Sequence, residues 1–231
     1  MTFNTQHCAA YQHGMVIDYP RFADAIKSLS PDVVLLQEIR SKGENLGYDD
    51  QTYELSRLTG MPHTKFAEAI RMSGVDPYGN SILSMLPLAS SEVIAIPDPI
   101  TRRNPKGYYE TRCVLKAKLE CGLTVLCVHV GLNPDEHENA IETLLREIED
   151  ERCVLVGDFN MRPDNPLIGR IRERLFDTGA MLPIDSATFP SDAPRYKIDY
   201  IFTSRDIKIE RVYVPELVVS DHRPIVADIS F

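Results

Sequence analysis

Short, unbroken apolar runs that each end in a polar side chain restrict this chain's fold more than any other feature. Val33-Val34-Leu35-Leu36 leads into Gln37-Glu38, the apolar stretch around Cys127 into His129, and Cys153–Val156 into Gly157-Asp158-Phe159-Asn160. Runs of this length bounded by turn residues fit buried strands. None approaches the roughly 18 apolar residues of a membrane span. Further strands are expected at Thr2–Gln6, His63–Ile70, Ser81–Leu86, Lys197–Phe202, Lys208–Val214 and Pro224–Ile229. Arg112–Leu119 and Leu123–Val130, joined through Glu120-Cys121-Gly122, read as a hairpin.

Helices are interspersed among these strands without a strict strand–helix alternation. Phe22, Ile26 and Leu29 recur at helical spacing after Pro20, and Pro31 stops that helix. Tyr53, Leu55 and Leu58 mark a second helix closed by Gly60 and Pro62. Asn133 and Pro134 open a third as cap and first-turn residue, with Ile141, Leu144, Leu145 and Ile148 as its apolar stripe. A short helix follows Pro166. Many strands, hairpins and separate helices together predict an α/β sandwich of two packed, largely antiparallel sheets with helices outside.

Hydrophobic residues make up 43% of the 231, enough for a sizeable core. No repeat or linker-like tract divides the chain, so a single domain over residues 1–231 is expected. With 25 basic against 34 acidic side chains the net charge is −9, which argues against a broad cationic face for long nucleic acid. The five cysteines form no CxxC pair and no zinc-type spacing with histidine. A reduced, cytoplasmic chain is therefore expected. No charged-then-apolar leader precedes the first motif. Thr2-Phe3-Asn4 already reads as the middle of a strand, so a few preceding residues are expected in the native chain.

Polar residues capable of chemistry collect where the apolar strands end: Asn4, Gln37-Glu38, Asn80, His129, Asp158 with Asn160, Asp199, and Asp221-His222. Strand ends let a rigid sheet aim side chains into a shared cleft. Each cluster alone has an ordinary explanation as a strand terminus, a turn or a surface pair. Their combination is specific. TFNT, VVLLQE, GNSILS, GDFN, KIDYIF and SDHRP, in this order and rough spacing, resemble the endonuclease/exonuclease/phosphatase superfamily along nearly the whole chain. Its members include pancreatic-type deoxyribonucleases, abasic-site endonucleases, deadenylases, inositol polyphosphate phosphatases and sphingomyelinases. The resemblance implies a four-layer α/β sandwich, with two mixed, largely antiparallel sheets flanked by helices and the site at one end.

It also implies roles that match the needs of phosphate ester hydrolysis: a cation on the phosphoryl oxygens, an activated water and help for the departing oxygen. Mg2+, or alternatively Mn2+, takes oxygen ligands, and Glu38 with Asn4 and Asp221 would supply them. Asp158 and Asn160 would orient the attacking water or hold a second ion. His222 would share the proton-accepting role with Asp158, its tautomer fixed by Asp199. A histidine at the position of His129 faces the leaving oxygen in deoxyribonuclease-like relatives, whereas abasic-site endonucleases carry a tyrosine there. The deoxyribonuclease partner of that histidine is a glutamate, and Asn80 is expected in its place. Asn80 would either stand beside His129 or hold a phosphate oxygen. Arg112 fits the family's strand arginine near the phosphate. The loop Ile96–Gly107 carries Arg102, Arg103 and Lys106, a cluster suited to a second phosphate or a headgroup.

The expected activity is metal-dependent hydrolysis of a small phosphomonoester or phosphodiester, with a DNA or RNA nuclease as the alternative. The acidic composition favours a small-molecule partner over nucleic acid.

Overall fold

Each of the apolar runs becomes a strand, and the polar residues that end them gather at one edge of two packed sheets. The computed structural model describes residues 1–45, 48–184 and 186–231. In chain order its elements are β1 (Thr2–Asn4), α1 (Tyr19–Leu29), β2 (Val33–Arg40), α2 (Gln51–Thr59), β3 (His63–Met72), β4 (Asp76–Ser84), β5 (Leu88–Ala95), β6 (Cys113–Leu119), β7 (Thr124–His129), α3 (Pro134–Glu147), β8 (Cys153–Asp158), α4 (Pro166–Arg174), β9 (Phe176–Asp177), β10 (Asp199–Thr203), β11 (Lys208–Tyr213) and β12 (Val226–Ser230). The first sheet runs β1-β2-β4-β3, and the β11–β12 hairpin joins its β1 edge through a bridge between Thr2 and Ile225. The second runs β5-β6-β7-β8-β10-β9. Pairing is antiparallel except between β1 and β2 and between β7 and β8.

Three apolar clusters separate four layers. Leu35 and Ile82 of the first sheet meet Leu115, Cys127 and Val156 of the second in the central core. Phe22, Ile26 and Leu55 pack α1 and α2 onto the outer face of the first sheet beside Leu36 and Leu83. Ile141, Leu144, Ile168 and Ile171 pack α3 and α4 onto the second, against Leu126, Leu155 and Phe202. Cys127 and Cys153 are buried as small apolar groups. This is the four-layer sandwich that the sequence implies. Among the described residues no helix is long and apolar enough to cross a membrane.

The helix signals act as their chemistry dictates. The Asp18 side chain accepts the Arg21 N–H to start α1, and left-handed Ser30 ends it. Gly60, at φ +78°, terminates α2. Glu136 reaches back to the Asn133 N–H in a capping box on α3.

Three strands depart from expectation, one of them the unexpected two-residue β9. β5 carries mostly exposed residues, including Ser90, Ser91 and Glu92, because it is an edge strand and so lacks apolar alternation. β4 begins at Asp76, five residues before the expected start. Asp76, Pro77 and Gly79 look like turn residues, yet β3 pairs with all three and β2 also with Gly79, which holds them in the sheet.

Candidate active site

The first sheet contributes Asn4 and Glu38 through a bulge. Leu36 pairs with Ser81 and Ile39 with Gly79, so Gln37 and Glu38 together oppose the single residue Asn80. Glu38 takes a left-handed φ of +59° there. The bulge separates two side chains that would otherwise follow simple alternation. Gln37 bonds the Cys127 sulfur of the opposing sheet, at 3.1 Å, while Glu38 turns to Asn4. On its other side, Gly79 lets β3 approach closely, since a Cβ on it would lie 2.0 Å from the Ala67 carbonyl oxygen.

The second sheet sets three residues in a row. His129 of β7 pairs in register with Asp158 of β8, and Asp158 with Asp199 of β10. The turn after β8 is built by its own side chains. Asp158 Oδ1 accepts the Asn160 N–H at 2.9 Å, Asn160 sits at φ +50°, and Phe159 between them is driven into the core against Tyr200 and Phe202. Asn160 Nδ2 then reaches the Val130 carbonyl at 2.9 Å and approaches His129 Nε2 at 3.2 Å.

A loop brings in the last pair. Ser191 donates its backbone N–H to the Asp221 carbonyl and its hydroxyl to the Ser220 carbonyl, which fixes the segment carrying Asp221 and His222. His222 Nδ1 lies 2.9 Å from Asp199 Oδ2, and its Nε2 lies 3.6 Å from Asp158 Oδ2. The Phe189 ring packs 4.9 Å from the imidazole. Burial works to lower the His222 pKa, but Asp199, Asp158 and Asp221 outweigh it and raise it to about 10. Burial pushes Asp158 up to about 7 despite the nearby imidazole. The three carboxylates around His222 thus favour its protonated ring, while burial makes Asp158 a readier proton acceptor than an ordinary carboxylate.

Asn4 ties the two sheets together. Its Nδ2 lies 3.0 Å from Glu38 Oε1 and 3.0 Å from Asp158 Oδ2, while its Oδ1 accepts the Gln6 N–H. In this orientation the Asn4 N–H donors bridge the two carboxylates, and its oxygen, which has a second lone pair, also accepts the Gln6 N–H. Burial raises the Glu38 pKa, Asp221 adds to the rise, and hydrogen bonds from Asn4 and Tyr78 oppose it. A half-buried carboxylate that feels a second acidic group fits a bound divalent cation, since both are oxygen donors and their repulsion favours a positive ion between them. Asp158, Asp199 and His222 also offer donor atoms within 4.8 Å of one another. The short His222–Asp199 bond already satisfies two of those three, so the trio suits proton handling better than cation binding.

His129 has a partner other than the one expected. Arg112 Nη1 lies 3.1 Å from His129 Nδ1, and Glu110 Oε1 lies 2.8 Å from the same guanidinium nitrogen. Asn80 directs one Nδ2–H to the Cys113 carbonyl at 3.1 Å, and the hydrogen-bond partner of His129 Nδ1 is Arg112. Among the described residues the buried Oδ1 of Asn80 has no partner. Guanidinium only donates, so Nδ1 accepts from Arg112 and a neutral ring carries its proton on Nε2, 3.5 Å from Asp158 Oδ2. The 3.2 Å approach of Asn160 Nδ2 to that nitrogen is then no hydrogen bond. Burial, Arg112 and His222 together hold the His129 pKa well below its ordinary value. The expected basic loop is largely committed to neighbouring structure. Arg103 forms a two-point ion pair with Glu138, and Arg102 lies over the Tyr109 ring.

Asn4, Glu38, Arg112, His129, Asp158, Asn160, Asp199 and His222 therefore meet in one contact network, with Asp221 at its edge. Sequence reasoning missed Glu110, Tyr78 and Phe189. Glu110 had a signal, because residues two apart in extended chain share a side, and it precedes Arg112 by two. Tyr78 precedes Asn80 by the same interval. Phe189 had none, since only the folded loop carries it to His222.

Comparison with known proteins agrees with this fold. The endonuclease/exonuclease/phosphatase family matches residues 1–222. The uncharacterized protein YbhP of Escherichia coli (strain K12) is 26% identical, covering 91% of this chain and 87% of its own length. An endonuclease/exonuclease/phosphatase structure from Beutenbergia cavernae superposes with a TM-score of 0.78 at 22% identity, covering 99% of this chain and 70% of that one. The mannosyl-6-phosphatase Bt3783 of Bacteroides thetaiotaomicron gives 0.78 at 15% identity, covering 100% and 98%.

Proposed function

The chain belongs to the endonuclease/exonuclease/phosphatase family, and from that premise we propose that residues 1–231 act as one catalytic unit, a divalent-metal-dependent hydrolase of small phosphate esters. The observation that carries this reading is the convergence of Glu38 from one sheet and Asp158, Asp199 and His129 from the other, bridged by Asn4 and closed by His222. The acidic composition and the fold shared with a mannosyl-6-phosphatase support a small substrate over nucleic acid.

Glu38 and Asp221 would hold the cation, Mg2+ or Mn2+. When bound, that ion supplies Lewis-acid polarisation of the phosphoryl oxygens. The chain's own groups do the rest. Asp158 accepts a proton from the attacking water, its pKa placed by burial near neutrality. Protonated His222, held by Asp199, offers Nε2–H to the developing phosphoryl charge. Asn160 Nδ2 and Arg112 add donors beside it. His129, neutral with Nε2–H toward the cleft, donates a hydrogen bond to the departing oxygen.

The test is hydrolysis of p-nitrophenyl phosphate and bis-p-nitrophenyl phosphate with Mg2+, alongside plasmid DNA and single-stranded RNA. Glu38→Ala and His222→Ala are each expected to lower turnover by about 100-fold or more, with the melting temperature little changed. Full activity in excess EDTA or in either variant would remove this mechanism. Efficient nicking of plasmid at moderate salt would place nucleic acid ahead of small esters.

A further inference from the structure

Two loops leave the second sheet at the candidate site: one follows Asp158 and the other leads into Asp199. Between them lies a separate pocket of about 300 Å³, whose lining includes Arg162, Asp164, Arg195, Tyr196 and Lys197. That volume is at the lower end of ligand-binding clefts. Its charge runs against the chain's net −9. Several exposed arginines elsewhere carry carboxylate partners, among them Arg57 with Glu54, Arg71 with Glu68, Arg170 with Glu142 and Arg174 with Asp150, while Arg102, Arg152 and Arg211 lie over aromatic rings. Among the described residues, neither Arg162 nor Arg195 has such a partner. The Arg162 guanidinium instead lies 4.4 Å from the centre of the Tyr196 ring, an arrangement that fixes its plane and leaves its N–H edge for an oxyanion. Lys197 is held back by Asp177 at 3.5 Å, so the two arginines are the available donors.

The pocket is tied to the site through short lengths of backbone. Arg162 follows Asn160 by two residues, and two residues of extended chain span about 7 Å. Tyr196 exchanges two backbone hydrogen bonds with Phe189, whose ring packs on His222. We propose that this pocket is a subsite for a second phosphate on the same substrate, so that the preferred esters are small bisphosphorylated molecules. The proposal rests on the phosphoesterase reading above, and names which phosphate esters that site selects.

The probes are glucose 6-phosphate and glucose 1,6-bisphosphate at constant ionic strength. Their inhibition constants are measured from initial rates on bis-p-nitrophenyl phosphate with Mg2+, and their dissociation constants by calorimetric titration, which reads binding even without turnover. The wild-type protein is expected to bind the bisphosphate about tenfold more tightly than the monophosphate, the order of a charge-assisted contact. In Arg162→Ala/Arg195→Ala that preference falls toward one, and in Arg162→Lys/Arg195→Lys part of it returns. Both positions are solvent-facing, and a circular-dichroism melt checks that the variants fold. A preference near one in the wild type, or one unchanged in the alanine variant, overturns the subsite. So does a single-stranded oligonucleotide that binds tightly through the same arginines while the bisphosphate shows no advantage. An intact preference without hydrolysis of any ester leaves the subsite standing and removes the catalytic reading alone.

Discussion

At the scale of single residues, the pairing of His129 with Arg112 decides more than the identity of either. A carboxylate beside a histidine favours the imidazolium, whereas a guanidinium excludes a proton from the nitrogen it faces. The network Glu110–Arg112–His129 therefore makes His129 a neutral donor through Nε2. His129→Gln, which keeps an N–H donor, is expected to retain at least about tenfold more turnover than His129→Ala, the value of a hydrogen bond to developing charge. Steady-state rates on bis-p-nitrophenyl phosphate check this, and equal losses in both variants would show that the ring transfers a proton. His222 stands in the opposite environment, among Asp199, Asp158 and Asp221, and its raised pKa follows from those neighbours. Two histidines of one sequence thus take different charge states because of what faces them.

At the scale of elements, the site depends on two glycines that bring backbones together. Gly157 lies in β8, at φ +148°, and a Cβ there would sit 1.8 Å from the Val128 carbonyl oxygen. Val128 pairs with Gly157 in register and immediately precedes His129. Gly157→Ala must therefore push β7 from β8 at the row formed by His129 and Asp158. The expected cost is about 2–3 kcal/mol of stability, the range for overpacking against a fixed neighbour, read from urea unfolding. Activity should fall further than the loss of folded protein explains, because the separation of His129 from Asp158 changes. A variant as stable as the wild type would show that the strand pair can relax at no cost. Gly79 serves the first sheet similarly, letting β3 approach β4 opposite the strand that carries the Glu38 bulge.

At the scale of the whole molecule, buried histidines set how stability varies with pH. Burial lowers the pKa of His7 to about 4 with help from Arg40, and lowers those of His129 and His137. The unfolded chain binds these protons near pH 6.5 and the folded chain does not. Stability therefore falls as pH drops below about 6.5 toward 4. His222 acts with the opposite sign: its folded pKa of about 10 adds stability that is complete below about 6.5 and is lost as pH rises through 10. In EDTA, the melting temperature should fall on the acid side, and His7→Gln should flatten part of that limb. An acid limb identical in the variant would show that His7 makes no contribution.

The sequence by itself determined the family, the layered α/β architecture and most of the residues that converge. Short apolar runs and helix caps are local signals, and the strand-end motifs survive in one dimension because each is held by its own strand. Only the tertiary structure decided which of those residues face one another. The bulge at Glu38 turns that side chain toward Asn4, and packing of the sheets carries Asn4 to Asp158 across more than 150 positions of chain. The exchange of Asn80 for Arg112 beside His129 also belongs to this level, as does the exposed edge strand β5. Hydrogen-bond partners, desolvation and charge state are properties of three-dimensional neighbours, and no spacing along the chain encodes them.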